Sequence, residues 1–279
     1  MDRTGGAGRS GTGGPMTEHR KPARWAWLGA ILGTLLALIA FAPALWVGAL
    51  LSHYTSGKVQ LLNTGGTVWS GHGDVLLSGG EGSRGQTALP QGLRWKLRPG
   101  WSQGPVLRMS LSSPCCTEQP MSIALRPSFG GAQVRVDAFS SRWPAAMLVG
   151  LGTPWNTLRM DGQLLVQSPG FSLALNGGRP RLDGQLVVEA HDLATRVSTL
   201  RPLGSYRVEF RSAGDGDNAA LKLATLKGGL LLDGDGQWSG GRLRFRGVAS
   251  AAPGQESALA NLLSIIGRRD GARTLLTFG

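Results

Sequence analysis

The feature that most constrains this chain is an uncharged run from Trp25 to Leu51, WAWLGAILGTLLALIAFAPALWVGALL, 27 residues with no Asp, Glu, Lys, Arg or His. About 20 apolar residues at 1.5 Å rise carry a helix across the hydrocarbon core of a bilayer. The tail before it holds five basic residues against two acidic ones, a net +3, with Arg20, Lys21 and Arg24 directly beside the run. Such a flank belongs on the cytoplasmic side. Trp25, Trp27 and Trp46 lie near the two ends of the run, where indole rings favour the water interface, and Pro43 can kink a span without breaking it. The expected organisation is a basic, Gly-rich cytoplasmic tail over 1–24, a single-pass transmembrane anchor over 25–51 and an external domain over 52–279. A cleavable signal peptide competes, with Ala40-Phe41-Ala42 as a loose cleavage site. Against it stand Pro43 just after that site and a run far longer than the ~7–15 residues of a signal's apolar core.

The 228 residues from Ser52 onward suffice for one or two compact domains. They carry 24 basic against 15 acidic residues, a net +9, but Arg84, Arg94, Arg108, Arg126, Arg135, Arg142, Arg159 and Arg179 are scattered singly through alternating segments. Nucleic-acid recognition calls for a clustered patch on a recognisable module, so no nucleic-acid partner is expected. The 44 glycines punctuate short Val-, Leu- and Thr-rich stretches, the texture of many short strands joined by tight turns. Cys115 and Cys116 are adjacent; a bridge between neighbours is strained, and free thiols are expected.

Val59 to Leu77 reads as a hairpin turning at Thr64-Gly65-Gly66, followed by a strand in which Thr67, Trp69 and Gly71 alternate with Val68, Ser70 and His72. In Leu93-Arg94-Trp95-Lys96-Leu97-Arg98-Pro99, apolar Leu93, Trp95 and Leu97 oppose three cations, which predicts one buried and one wet face. Val106–Leu111, Met121–Leu125 and Gln133–Val136 alternate in the same way. Ser141 and Pro144 suit the start of a short helix ending at Gly150 or Gly152. RMDGQLLV at 159–166 is echoed by RLDGQLVV at 181–188 and more weakly by LDGDGQW at 232–238, a repeat that predicts a sheet growing by strand pairs. Residues 189–203 fit either a loop or a short helix ending before Pro202. Strands are expected at 206–211 and 219–226, around the polar turn 214–218, and Leu243, Phe245 and Gly247 oppose three arginines. Leu259, Leu262, Leu263 and Ile266 keep helical spacing, with Gly267 as a C-terminal cap and Thr274–Phe278 as a last strand.

Signs of chemistry are few. His19, His53, His72 and His191 are dispersed, with no metal-ligand spacing, nucleophile elbow or phosphate-binding loop around them. His72 and Asp74 share a strand face without a nucleophile in reach. Asp215-Gly216-Asp217 and Asp233-Gly234-Asp235-Gly236 resemble the start of a calcium loop, but the twelfth positions are Leu226 and Arg244 instead of Glu; hairpin turns account for both. No cofactor, metal or catalytic residue is expected.

Taken in order, the phrases Gly66-Thr67-Val68-Trp69-Ser70-Gly71, Leu93 to Pro99, the DGQL repeats and Leu262 to Gly271 resemble the type II secretion system protein N family across residues 25–279. The resemblance implies a non-enzymatic accessory protein of the Gram-negative inner membrane, N-terminus cytoplasmic, whose periplasmic domain docks other type II secretion components. Its family-motif positions here are Gly66, Trp69, Gly71, Leu93, Trp95, Leu97, Pro99, Gly267, Arg268, Asp270 and Gly271, in structural or docking roles. The expected fold is mainly β, an extended, twisted antiparallel sheet or half-barrel with two short capping helices. The domain is also similar to AsmA-like and lipid-transfer proteins, so a lipid-handling module holding acyl chains in an apolar groove is the alternative. The direction in which Leu93, Trp95, Leu97, Leu243 and Phe245 point discriminates between the two.

Overall fold

The computed structural model describes residues 23–79, 85–153, 155–176, 179–212, 218–239 and 242–279. The Gly-rich tail and the Asp215–Asp217 turn lie outside them. The chain divides into two compact units, Met1–Phe41 and Ala42–Gly279.

The first unit holds helix α1, Ala23–Ala40, in which every side chain from Trp25 to Ala40 is exposed. The expected single helix over 25–51 is not formed. A second helix, α2, runs from Leu45 to Tyr54 and belongs to the other unit. Pro43 explains the break: it lacks an N–H and disfavours helical backbone in the residue before it. The carbonyl of Ala42 and the N–H of Ala44 bond instead to the sheet, at Val68 N (2.9 Å) and the Gly66 carbonyl (3.1 Å). Among the described residues no helix is long and apolar enough to cross a membrane.

The second unit is built on one antiparallel sheet. Its strands are β1 Val59–Gly66, β2 Ser70–Ser78, β3 Gln86–Ala88, β4 Leu93–Trp101, β5 Pro105–Ser112, β6 Met121–Ser128, β7 Gly131–Val136 and β8 Phe139–Pro144. A 3-10 helix, Ala145–Leu151, and the short α3, Trp155–Leu158, come next. They are followed by β9 Asp161–Asn176, β10 Arg179–Ala194, β11 Gly204–Ser212, β12 Asn218–Gly228, β13 Leu230–Ser239 and β14 Arg242–Ala251, then by α4 Glu256–Ile266, β15 Arg268–Asp270 and β16 Arg273–Phe278. The strand order is β1-β2-β4-β5-β6-β7-β9-β10-β11-β12-β13-β14-β16-β15, with β3 on β2 and β8 on β9.

Because directly opposed residues share a face, the register defines two surfaces. Leu97, Met109, Ile123, Val136 and Phe171 stand opposite one another across five strands, and Leu186, Phe210, Leu221, Gly236 and Phe245 do so across the next five. This is a continuous apolar inner face. The 3-10 helix touches both β2 and β9, five steps apart in the sheet. At about 4.8 Å per step no seven-residue helix reaches both across a flat sheet, so the sheet curls around it. One end of the curl is thereby filled. Ala145, Leu158, Leu193, Leu203, Tyr206, Leu230, Ala249, Leu259, Leu262 and Leu263 form a single buried cluster there.

The expected alternation holds where it was cleanest: along β4, Trp95 is buried while Arg94, Lys96 and Arg98 are exposed. Four local expectations are corrected. The first hairpin turns at Thr67–Trp69, with Thr64–Gly66 inside β1. Ser141 is a strand residue opposite Val166, and the helix starts only after Pro144, because pairing with β9 overrides the cap. Asp233 and Asp235 lie within β13 instead of a turn. Each DGQL phrase marks one strand instead of a pair, and the phrases of β9 and β10 are not opposite one another. Residues 189–194 complete β10, and those up to Leu203 form a loop.

The cysteines, expected as free thiols, are bonded to each other. The N–H groups of Cys116 and Thr117 both donate to the Ser113 carbonyl (3.0 and 2.9 Å), and Ser113 N donates to Thr117 Oγ1 (2.9 Å). That tight turn closes the pair. Cys116 is buried beside Val75 and Leu89.

Candidate functional site

Of the residues singled out in the sequence, all but Leu93 and Pro99 collect in two places. Gly66, Trp69, Gly71, Trp95 and Leu97 meet where the β1–β2 turn lies against β4. Thr67 N donates to the Ser70 carbonyl (2.9 Å), and Ser70 N to Thr67 Oγ1 (3.2 Å). Gly66 has φ +88°, and a Cβ there would lie 2.4 Å from the Ser70 carbonyl oxygen, so the turn requires glycine. Gly71 stands opposite Trp95; its missing side chain is the floor on which the indole lies, since a Cβ would be 2.5 Å from the ring. Trp95 Nε1 donates to the Val68 carbonyl (3.0 Å), and Leu97 N donates to the Trp69 carbonyl (2.7 Å).

The same turn receives the chain as it enters the unit. Val68 N binds the Ala42 carbonyl and the Gly66 carbonyl binds Ala44 N. Ala42 and Ala44 are buried, and Gly48 of α2 packs against Leu61 and Thr64. The Trp-Ser-Gly phrase therefore builds a joint that clamps the entering segment to the sheet. Leu93 packs with the cluster around Val75, and Pro99 is exposed farther along β4. Sequence reasoning missed Ala42, Ala44 and Gly48 because they sat inside an apolar run; Pro43 was the signal that the run changes role there.

The second group, Gly267, Arg268, Asp270 and Gly271, lies at the opposite edge of the sheet. Gly267 is extended instead of a left-handed cap. A Cβ there would lie 2.3 Å from the Leu275 carbonyl oxygen, so close approach to β16 demands glycine. Arg268 to Asp270 are all exposed, and Gly271, at φ +60°, turns the chain into β16.

The turn residues Gly66 to Gly71 and the segment Gly267 to Gly271 both fall within the stretch 57–275, over which the sequence matches the profile of the type II secretion system, protein N, family. The chain belongs to that family. No curated protein and no solved structure matches it. The protein N match leaves out α1 and α2 and spans the whole sheet up to Leu275, which ties family membership to the β unit.

Other candidate sites are weaker. His72 and Asp74 share the outer face, but Asp74 accepts from Asn63 Nδ2 (2.8 Å) and the His72 ring lies against Gly65. Glu189 is held by two neighbouring side chains. Arg207 Nε and Nη2 both donate to its Oε1 (2.9 and 2.6 Å), and His191 Nε2 is 3.1 Å from Oε2. The Arg207 hydrogen bond, with help from His191, holds the carboxyl below the usual range against a partly opposing burial effect. Burial alone pushes the Tyr206 hydroxyl up; it donates to the Leu230 carbonyl (3.0 Å). A cleft of about 530 Å³ at the filled end is lined by Arg159, Arg196, Arg201 and Asp161 among others. Among the described residues no group of three or more His, Cys, Asp or Glu gathers as a metal site.

The inner face answers the question of groove against core in two parts. Phe245 and Leu93 are packed under the filled end and Trp95 is buried. Toward the β4–β5 and β6–β7 turns the face is open: Leu97, Leu107, Met109, Ile123 and Leu173 are half-buried, and Leu125 and Leu175 are 36% and 41% exposed.

Proposed function

We propose that this chain is a non-enzymatic accessory component of the type II secretion machinery, tethered to the inner membrane by α1, with its N-terminus cytoplasmic and the β unit in the periplasm. Secretion partners dock on the sheet through its C-terminal edge. The observation that carries the docking reading is the way that edge is left. β15 pairs only with Arg273 to Leu275 of β16, and Thr277 and Phe278 beyond it are exposed. An uncovered edge offers backbone groups to an added strand, and the family phrase Gly267 to Gly271 shapes it. For the tether, Trp25 to Ala40 of α1 carry no charge and are all exposed, a surface that water does not favour. Its 18 residues extend roughly 27 Å, short of the ~30 Å hydrocarbon core of a relaxed bilayer, so the tether requires the bilayer to thin locally around it.

A photo-crosslinking residue placed at Thr277 in cells tests the docking. Adducts with other secretion components are expected, and their absence at native expression overturns the reading. Alkaline carbonate extraction tests the tether, which predicts retention in the membrane pellet. A second reading, lipid handling, is favoured by the open apolar stretch around Leu97, Ile123 and Leu125; mass spectrometry of copurified lipid decides it.

A further inference from the structure

The outer face of β4 to β7 carries Arg94, Lys96, Arg98, Arg108, Arg126 and Arg135, and these four strands contain no Asp or Glu. The register concentrates the charge. Arg98 stands directly opposite Arg108, Arg108 opposite Ala124, Ala124 opposite Arg135, and Arg126 opposite Gln133. Like charges directly opposed on a sheet repel. The acids beside them both lie at the Arg135 side: Asp137, 4.0 Å from Arg135 with both side chains more than half exposed, and Asp183, opposite Ser172, which is itself opposite Arg135; Arg126 Nε is buried without a hydrogen-bond partner. The cluster thus has little internal compensation.

Two further features share this end of the sheet. Trp101, the last residue of β4 before the β4–β5 turn, is 80% exposed, and Phe129 in the β6–β7 turn is fully exposed. These turns lie at one end because Leu107 pairs with Leu125. The β1–β2 turn, where Ala42 brings the chain into the unit, is at that end too, since Ser70 pairs with Lys96.

We propose that this end of the sheet is a seat for an anionic bilayer surface. Arg98, Arg108, Arg126 and Arg135 face lipid phosphates, and Trp101 and Phe129 enter the interface. Cations set back from aromatic tips match the layering of a membrane surface, in which apolar and aromatic groups go deeper than the charges that hold headgroups. An acidic protein would satisfy the arginines and leave the tips unexplained. The inference rests on α1 as the tether and adds a second, orienting contact, which turns the filled end away from the bilayer.

The test uses the full chain reconstituted in vesicles of phosphatidylethanolamine and phosphatidylglycerol, with the native cysteine pair left oxidised. A polarity-sensitive label is attached in turn through Trp101→Cys, Phe129→Cys, Leu36→Cys in α1 and Thr199→Cys at the filled end, and quenched with brominated lipid. Labels at 36, 101 and 129 should be quenched and the label at 199 should not. Changing any one of the four arginines to Gln should lower the ratio of seated to unseated protein about five-fold, the equivalent of roughly one cation's attraction to an anionic surface. Phosphatidylcholine vesicles should unseat positions 101 and 129. Quenching at 36 with none at 101 and 129 overturns the seat and leaves the tether standing; loss at 36 alone overturns the tether and leaves the seat. Quenching that is equal in phosphatidylcholine removes the anionic requirement and overturns the role of the arginines. Shielding of 101 and 129 only when another secretion component is added assigns the face to protein and also overturns the seat.

Discussion

At the scale of single residues, the motif positions act through what they leave out as much as through what they add. Gly71 and Trp95 form one unit: Gly71→Ala brings a Cβ 2.5 Å from the indole and 2.9 Å from the Thr67 carbonyl oxygen. Ring or turn must shift, and overpacking of this kind costs about 1–3 kcal/mol, readable as a lowered urea midpoint. Glu189 controls a pH dependence. Its folded-state pKa lies below the ordinary 4.5, so its contribution is complete above that value and is lost as pH falls through it toward the folded pKa. Urea midpoints of the wild type should therefore decline on acidification below 4.5, and Glu189→Gln should flatten that decline. The adjacency of Cys115 and Cys116 was plain in the sequence. Their bond was not, because it depends on the Ser113–Thr117 turn, whose Ser113 Oγ is itself fixed by the distant Gly92 carbonyl (2.8 Å).

Among the elements, α4 was legible because its apolar spacing is local and strict. Leu259, Leu262 and Leu263 are 0%, 2% and 7% exposed. Leu262→Ala should cost about 2–5 kcal/mol and lower the thermal midpoint while Ser264→Ala, on the exposed side, leaves it nearly unchanged. Strands β4, β5 and β14 were legible for the same reason with period two. Turns were not. Thr64-Gly65-Gly66 has turn chemistry, yet the chain turns three residues later, because the strand partners of Gly65 and Gly66 are His72 and Gly71 and Thr67 closes the loop on Ser70. Ser141 failed as a helix cap for a similar reason: its Oγ accepts from Trp143 Nε1 (2.8 Å) within a strand held by β9.

At the scale of the whole molecule, the boundary between the two compact units is the point with a measurable consequence. A chain beginning at Ala42 keeps the clamp on Gly66 and Val68, together with α2, whereas one beginning at Ser52 loses both. The first should melt cooperatively, and the second should melt earlier by about 1 kcal/mol for each of the two backbone bonds removed, plus the lost burial of Ala44 and Gly48. Circular dichroism melts of the two truncations check this. The curl of the sheet also belongs to this scale: the 3-10 helix joins β2 to β9, and the ends of the inner face differ because the helices fill only one of them.

The sequence by itself determined which side of β4, β5 and β14 is apolar, where the closing helix lies, and that 27 uncharged residues separate a basic tail from a strand-rich remainder. These follow from periodicities of two and 3.6 and from runs of composition, which neighbouring residues carry alone. Only the tertiary structure decided that Ala42 to Tyr54 belongs with the sheet, that Gly66 to Gly71 forms a joint and Gly267 to Gly271 lies at the opposite edge, and that scattered arginines become one patch. Each depends on which distant strand lies alongside, and that is set by the register across the whole sheet.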